Sequence, residues 1–101
     1  MANQNFVVEM HLMPVPADIY QKLGRAEIDY TQEQMAAGKL TQLLVTQDHR
    51  KYWMVFAVDG EDELRSIMEG FPLYKFFDCT VNPVTDMVAA SAAGLTDPNL
   101  D

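Results

Sequence analysis

The stretch Leu40–Phe71, LTQLLVTQDHRKYWMVFAVDGEDELRSIMEGF, decides how this chain folds. Its first two-thirds read as strands and its last third as a helix. Leu40 to Thr46 and Tyr52 to Val58 are rich in β-branched, aromatic and other apolar residues, the composition of half-buried strands. Gln47-Asp48-His49-Arg50-Lys51 between them is a polar turn, so the two strands form an antiparallel hairpin. Asp59 then stands as an N-cap, and Glu61, Asp62 and Glu63 put negative charge at the positive end of the helix dipole. Leu64, Ile67, Met68 and Phe71 supply the i, i+3, i+4, i+7 stripe of a short helix, which Gly70 and Pro72 end.

Outward from this ββα unit the pattern continues on both sides. Phe6 to Met13 alternates, with Phe6, Val8, Met10 and Leu12 on one side and Val7, Glu9, His11 and Met13 on the other, and Pro14 and Pro16 end it. From Ala17 to Ala37 the period is helical: Ile19, Leu23, Ala26, Tyr30 and Ala37 form one arc, with Gln21, Lys22, Arg25, Asp29 and Gln32 opposite. Gly38 closes this helix. Gly24 inside it costs up to about 1 kcal/mol relative to Ala, the mark of a close packing contact or a ligand. Phe76 to Val84 is a last strand, after which the chain turns small and polar. The order βαββαβ is that of an α+β, ferredoxin-like sandwich, a four-stranded antiparallel sheet with two helices on one face. Residues 1–85 make the domain, and residues 86–101 a tail that is either mobile or packed on a neighbouring subunit. Leu43, Trp53, Val55 and Val81 leave both sheet faces too apolar for water, so sheet-to-sheet pairing into a homodimeric barrel is expected.

Composition limits what such a domain does. At 101 residues there is room for one core, and at 49% hydrophobic the chain is not disordered. Seven Lys+Arg against fifteen Asp+Glu, a formal net charge of -8, leave no cationic stripe for nucleic acid or an anionic membrane. No apolar run reaches the ~20 residues of a membrane span, and the N-terminal residues lack the blocks of a signal peptide, so a cytoplasmic domain is expected. Cys79 is the single cysteine, which excludes an internal disulfide and a cysteine-built zinc site. Two distant histidines, no phosphate-binding glycine loop and no calcium loop point to chemistry without metal or cofactor.

Asp62-Glu63-Leu64, Phe71-Pro72-Leu73 and the strand Asp78, Val81, Pro83-Val84, with Glu27, Glu33, Gly38-Lys39 and Leu43 before them, keep a recognisable order and spacing. On these residues, from Phe6 to Val84, the chain resembles the muconolactone delta-isomerase family of small dimeric-barrel enzymes. The resemblance implies a cofactor-independent isomerase. It also exposes departures. The Trp-Arg pair usual after the matched leucine is Leu44 and Val45 here, and the helix arginine before the matched glutamate is Ala26, with Arg25 one residue away. A two-point arginine grip on a substrate carboxylate is therefore missing, which favours a less acidic and bulkier substrate.

Glu27 is the most informative residue. It follows Leu23 by four and precedes Tyr30 by three, so it lies on or beside the sheet-facing arc, where burial raises its pKa and makes it a proton shuttle. At the edge of that arc the same carboxylate reaches water and does nothing. His11, beside Glu9 on the first strand, is a second acid–base candidate with Glu27 or a substrate oxygen as partner, against the commoner solvated strand histidine. Tyr30 is the third, as a donor to an enolate oxygen, against a tyrosine with one structural hydrogen bond. Tyr20, Leu23, Trp53, Phe56, Phe76, Cys79 and the turn residue His49 complete the candidate substrate contacts, most of which serve equally as core. The function expected is an isomerase or cyclase that moves a proton on an unsaturated lactone or on a polyketide- or terpenoid-like intermediate. A binding or assembly module without catalysis predicts instead a Glu27 turned outward or paired with Lys22 or Arg25, and a cofactor-free monooxygenase on the same fold needs a substrate that activates oxygen itself.

Overall fold

The computed structural model describes residues 4–88. β1 (Gln4–Leu12), α1 (Ala17–Ala36), β2 (Leu40–Val45), β3 (Lys51–Val58), α2 (Glu61–Glu69) and β4 (Phe77–Val84) follow in the expected order, with a 3₁₀ turn at Tyr74–Phe76 before β4. The strands form one antiparallel sheet in the order β2-β3-β1-β4, the split βαβ topology. The tail expected over 86–101 lies outside the described residues from 89 onward.

Even-numbered side chains of β1 and β3 build the core. Phe6, Val8, Met10, Met54, Phe56 and Val58 are buried beneath Leu64, Ile67 and Met68 of α2 and beside Leu40 and Phe71. Helix α1 buries no residue fully. Its half-buried face runs through Ile19, Leu23, Glu27, Tyr30 and Gln34, while Ala26 and Ala37 of the expected arc are exposed. The helix is rotated toward Glu27 because Leu23 and Tyr30 anchor it, whereas alanines offer little area to bury. Tyr30 donates its hydroxyl hydrogen to the Ile67 carbonyl at 2.6 Å and packs edge-on against Phe71, tying α1 to α2.

Two local details differ from expectation. The N-cap of α2 is Gly60, with no side-chain cap, and the Asp59 backbone N–H is bound by Glu63 Oε1 at 2.7 Å. Glu63, the third residue of the helix, thus reaches past the N-cap to the N–H before it, so a carboxylate one turn on ties down the chain entering the helix. In β2 the register shifts between Leu40 and Gln42, a bulge that returns Leu43 to the helix side opposite Met54 and leaves Leu44 opposite Trp53 on the far side.

That far side carries Val7, Trp53, Val55 and Ala57, all half-buried, with Leu44 and Val84 exposed. At its end Glu9 Oε1 sits 2.7 Å from Lys51 Nζ and 3.6 Å from His11 Nε2, and Lys51 lies 5.0 Å over the Trp53 ring.

Candidate functional site

Because α1 stands off the sheet, a cavity of about 390 Å³ opens between them. Tyr20, Gly24, Glu27 and Thr31 of α1 form its roof. Leu12, Leu43, Tyr52, Met54 and Phe77 of the sheet form its floor, and Leu73 closes one end. The close packing contact that Gly24 suggested in the sequence is not there: a Cβ at this position would meet the Tyr20 ring at 3.6 Å, an ordinary van der Waals distance.

Among the described residues Glu27 is the one carboxyl in this lining. Its Oε1 accepts the Leu73 backbone N–H at 2.9 Å, a bond spanning 46 residues that fixes the side chain inward. Burial pushes the carboxyl above its ordinary pKa, and the Leu73 N–H pulls the other way without cancelling it. One turn on, Thr31 donates to the Glu27 carbonyl at 2.8 Å, which satisfies that hydroxyl within the helix. Among the described residues nothing hydrogen-bonds the second carboxyl oxygen of Glu27. The arrangement is that of a fixed acid–base group in an apolar room.

Of the residues singled out in the sequence, Glu27 and Tyr20 meet in this cavity. Leu23 is half-buried on the same helix but outside the lining. His11 stands on the opposite face with Glu9, so the sheet separates it from Glu27 and the two cannot partner within one chain. Trp53 shares that far face, and Phe56 is fully enclosed in the core. Tyr30, expected as an enolate donor, has its hydroxyl engaged by Ile67. Phe76 lies in the 3₁₀ turn with Lys75 5.4 Å over its ring. Cys79 faces a separate groove of about 290 Å³ between α2 and β4, and burial with the nearby Asp78 charge raises its thiol pKa. His49 is exposed in the hairpin turn, at φ 59°.

Phe77, whose sequence reading is core, interface or pocket wall, lies in the lining, and Tyr52 and Leu73, not among the candidate contacts, join it. Tyr52 shares the parity of Met54 and Phe56 on β3, so the alternation that exposes Trp53 to the far face places Tyr52 on the cavity floor. Among the described residues no group of three or more His, Cys, Asp or Glu side chains is placed to hold a metal ion, and no helix is long and apolar enough to cross a membrane.

Known proteins share this architecture. The crystal structure of a muconolactone isomerase superposes with a TM-score of 0.72 at 22% identity, covering 81% of this chain and 88% of that one. A 5-chloro-2-hydroxyhydroquinone dehydrochlorinase from Burkholderia phenoliruptrix AC1100, solved with 2,5-dihydroxybenzoquinone, superposes with a TM-score of 0.65 at 16% identity, over 80% of this chain and 93% of that one. Among curated proteins none is similar enough in sequence to count as a match. The family model for muconolactone delta-isomerase matches residues 5–89, from the first strand past the last, and on that match the chain belongs to the muconolactone delta-isomerase family.

Proposed function

We propose that this chain is a cofactor-independent isomerase or cyclase that moves a proton on an uncharged, unsaturated carbonyl compound, with Glu27 as the shuttle. The observation that carries this reading is the Glu27 carboxyl, held by Leu73 against an apolar cavity that burial makes reluctant to ionise. As carboxylate, Glu27 takes a proton from carbon next to the carbonyl, and the electron pair delocalises into the conjugated system. The resulting Glu27 acid returns the proton to another carbon of that system, which shifts the double bond. In a ring closure the carbanion instead adds to a second carbonyl carbon of the same molecule, and the Glu27 proton goes to the oxygen that takes up that carbonyl's electron pair. Positioned proton transfer contributes about 10²- to 10⁴-fold.

Substrate charge follows from the lining. Among the described residues neither Lys nor Arg lines the cavity, and Arg25 is exposed and paired with Asp29 at 3.2 Å. Leu44 and Val45 add no cation where the family usually has Trp-Arg. An anionic lactone would meet a carboxyl and no counter-charge, whereas a neutral lactone, cyclic enone, quinonoid, or polyketide- or terpenoid-like intermediate meets complementary apolar walls. The structurally similar dehydrochlorinase binds 2,5-dihydroxybenzoquinone, a conjugated carbonyl compound, which supports the unsaturated-carbonyl part of this reading. A purely non-catalytic module predicted Glu27 outward or on Lys22 or Arg25; its inward bond to Leu73 favours the enzyme.

We propose further that two chains pair through the far face of the sheet. Catalysis is tested by incubating the protein in D₂O with a panel of neutral unsaturated lactones and cyclic enones, and following carbon-bound deuterium by NMR. The parent exchanges and Glu27→Gln does not, while keeping its fold. Exchange by Glu27→Gln at the parent rate removes Glu27 from the mechanism.

A further inference from the structure

We propose that Tyr52 binds the substrate's carbonyl oxygen from the cavity floor and donates a hydrogen bond to it as negative charge develops there. This inference rests on reading the cavity as a proton-transfer site. A base alone does not suffice for carbon acids: the electron pair left behind needs a donor aimed at the oxygen that receives it. Three tyrosines lie near the cavity. Tyr30 is engaged by the Ile67 carbonyl, and Tyr20 stands at the mouth, 54% exposed. Tyr52 is half-buried, and among the described residues no group accepts a hydrogen bond from its hydroxyl.

Its placement is rigid. Tyr52 pairs with Met10 on one side and Val45 on the other in the centre of the sheet, and its ring meets Phe77 edge-on at 5.9 Å. Glu27 looks down from α1 onto the same cavity. A flat carbonyl compound lying between roof and floor is thus offered a base on one side and a phenol on the other. Burial first, then the nearby Tyr20 and Glu27 groups, hold the Tyr52 hydroxyl above the ordinary phenol range, so it stays protonated and acts as a donor. In the step, the C–H bond breaks, its proton goes to Glu27, and the electron pair moves onto the carbonyl oxygen. The Tyr52 O–H shortens its bond to that oxygen without giving up its proton. Return of the proton from Glu27 to carbon restores the carbonyl. A neutral donor strengthens its bond as the oxygen charges, so it favours the transition state over the ground state. It also suits a neutral substrate better than a lysine or arginine would.

The probe is 4-nitrophenolate, whose oxygen mimics an enolate and whose absorption reports binding, titrated above its own ionisation pH. In Glu27→Gln, which stands for the protonated base after proton transfer, it binds more tightly than in the parent because the repelling carboxylate is gone. Adding Tyr52→Phe to that background weakens binding about ten- to hundredfold, the range for a hydrogen bond to a charged oxygen. Thermal unfolding of each variant confirms that the near-isosteric change leaves the fold in place. Affinity within twofold on removing the hydroxyl overturns the assignment, as does an equal loss from Tyr20→Phe or absence of binding at millimolar probe. Equal binding by the parent and Glu27→Gln refutes the reading of Glu27 instead, and is scored separately from the Tyr52 effect.

Discussion

Glu27 holds its proton more firmly in the folded chain than in the unfolded one, because burial penalises its charge more than the Leu73 N–H relieves it. Between its ordinary pKa of 4.5 and its raised folded value the native state therefore binds more protons than the unfolded state. Its contribution to stability is full below 4.5 and is lost as pH rises through the raised value. Glu27→Gln removes that loss and keeps an oxygen to accept from Leu73. Thermal unfolding should then show the variant as stable as the parent or more so at pH 7, with the difference closing below pH 4.5; a markedly lower melting point at pH 7 contradicts the burial argument. Tyr30 behaves differently. Tyr30→Phe strips a donor from the Ile67 carbonyl and should cost about 1–3 kcal/mol in denaturant unfolding. Gly70→Ala should destabilise as well, since a Cβ there would come within 2.7 Å of Tyr30 Cζ. The two losses should be less than additive, because the tyrosine hydroxyl is part of what the new methyl strikes.

At the scale of elements, Glu63 stitches the fold. It accepts the Asp59 N–H at the start of α2 and lies 2.8 Å from Lys39, just beyond the positive-φ Gly38 that ends α1. The Lys39 hydrogen bond, more than any other influence, holds the Glu63 carboxyl below the usual range. A lowered folded pKa stabilises above the ordinary value and is lost as pH falls through the lowered one. Glu63→Gln should flatten the acid limb of stability below pH 4.5 and reduce its salt dependence, read from unfolding curves at low and high ionic strength. This bond also shows what the sequence concealed. Helices and strands were legible because Leu64, Ile67, Met68 and Phe71, or Phe6, Val8 and Met10, repeat with the right period. The cap was misplaced because Asp59 looks like one, and only packing reveals that a carboxylate four residues on takes its backbone N–H. The face of α1 was misjudged for a related reason. Ala26 counts as apolar and Glu27 and Thr31 as polar, yet the polar pair lines the cavity, and binary patterns fail where polar groups turn inward. His11 could have been separated from Glu27 in the sequence, since its odd parity on β1 sets it with Val7 against the buried Phe6, Val8 and Met10. Tyr52 needed the hairpin register as well, because Trp53 beside it draws the eye to the opposite face.

For the molecule as a whole, the same parity leaves an apolar surface over which no helix of the described residues lies. Val7, Trp53, Val55 and Ala57 lie half-buried across β1 and β3, flanked by Leu44 at 53% exposure and Val84 at 37%. Among the described residues the one helical layer covers the other face of the sheet. The second copy proposed above would bring the matching surface by a twofold axis, which makes the patch self-complementary. The charged residues there do not forbid it, since Lys51 neutralises Glu9 and covers Trp53. Val55→Arg places an unpaired charge in the middle of that face and touches nothing in the cavity behind it. Sedimentation equilibrium should report a dimer for the parent and a monomer for this variant, with the melting point lowered and no longer dependent on protein concentration. Lys51 also holds the Glu9 carboxyl below its usual range, so Glu9 stabilises above its ordinary 4.5 and that contribution fades as pH falls through the lowered value. The folded chain should accordingly lose stability in acid, and Glu9→Gln should remove that part of the pH dependence, read from thermal unfolding between pH 3 and 7. A parent that sediments as a monomer at every concentration would leave the far face without its partner and rule out sheet-to-sheet pairing.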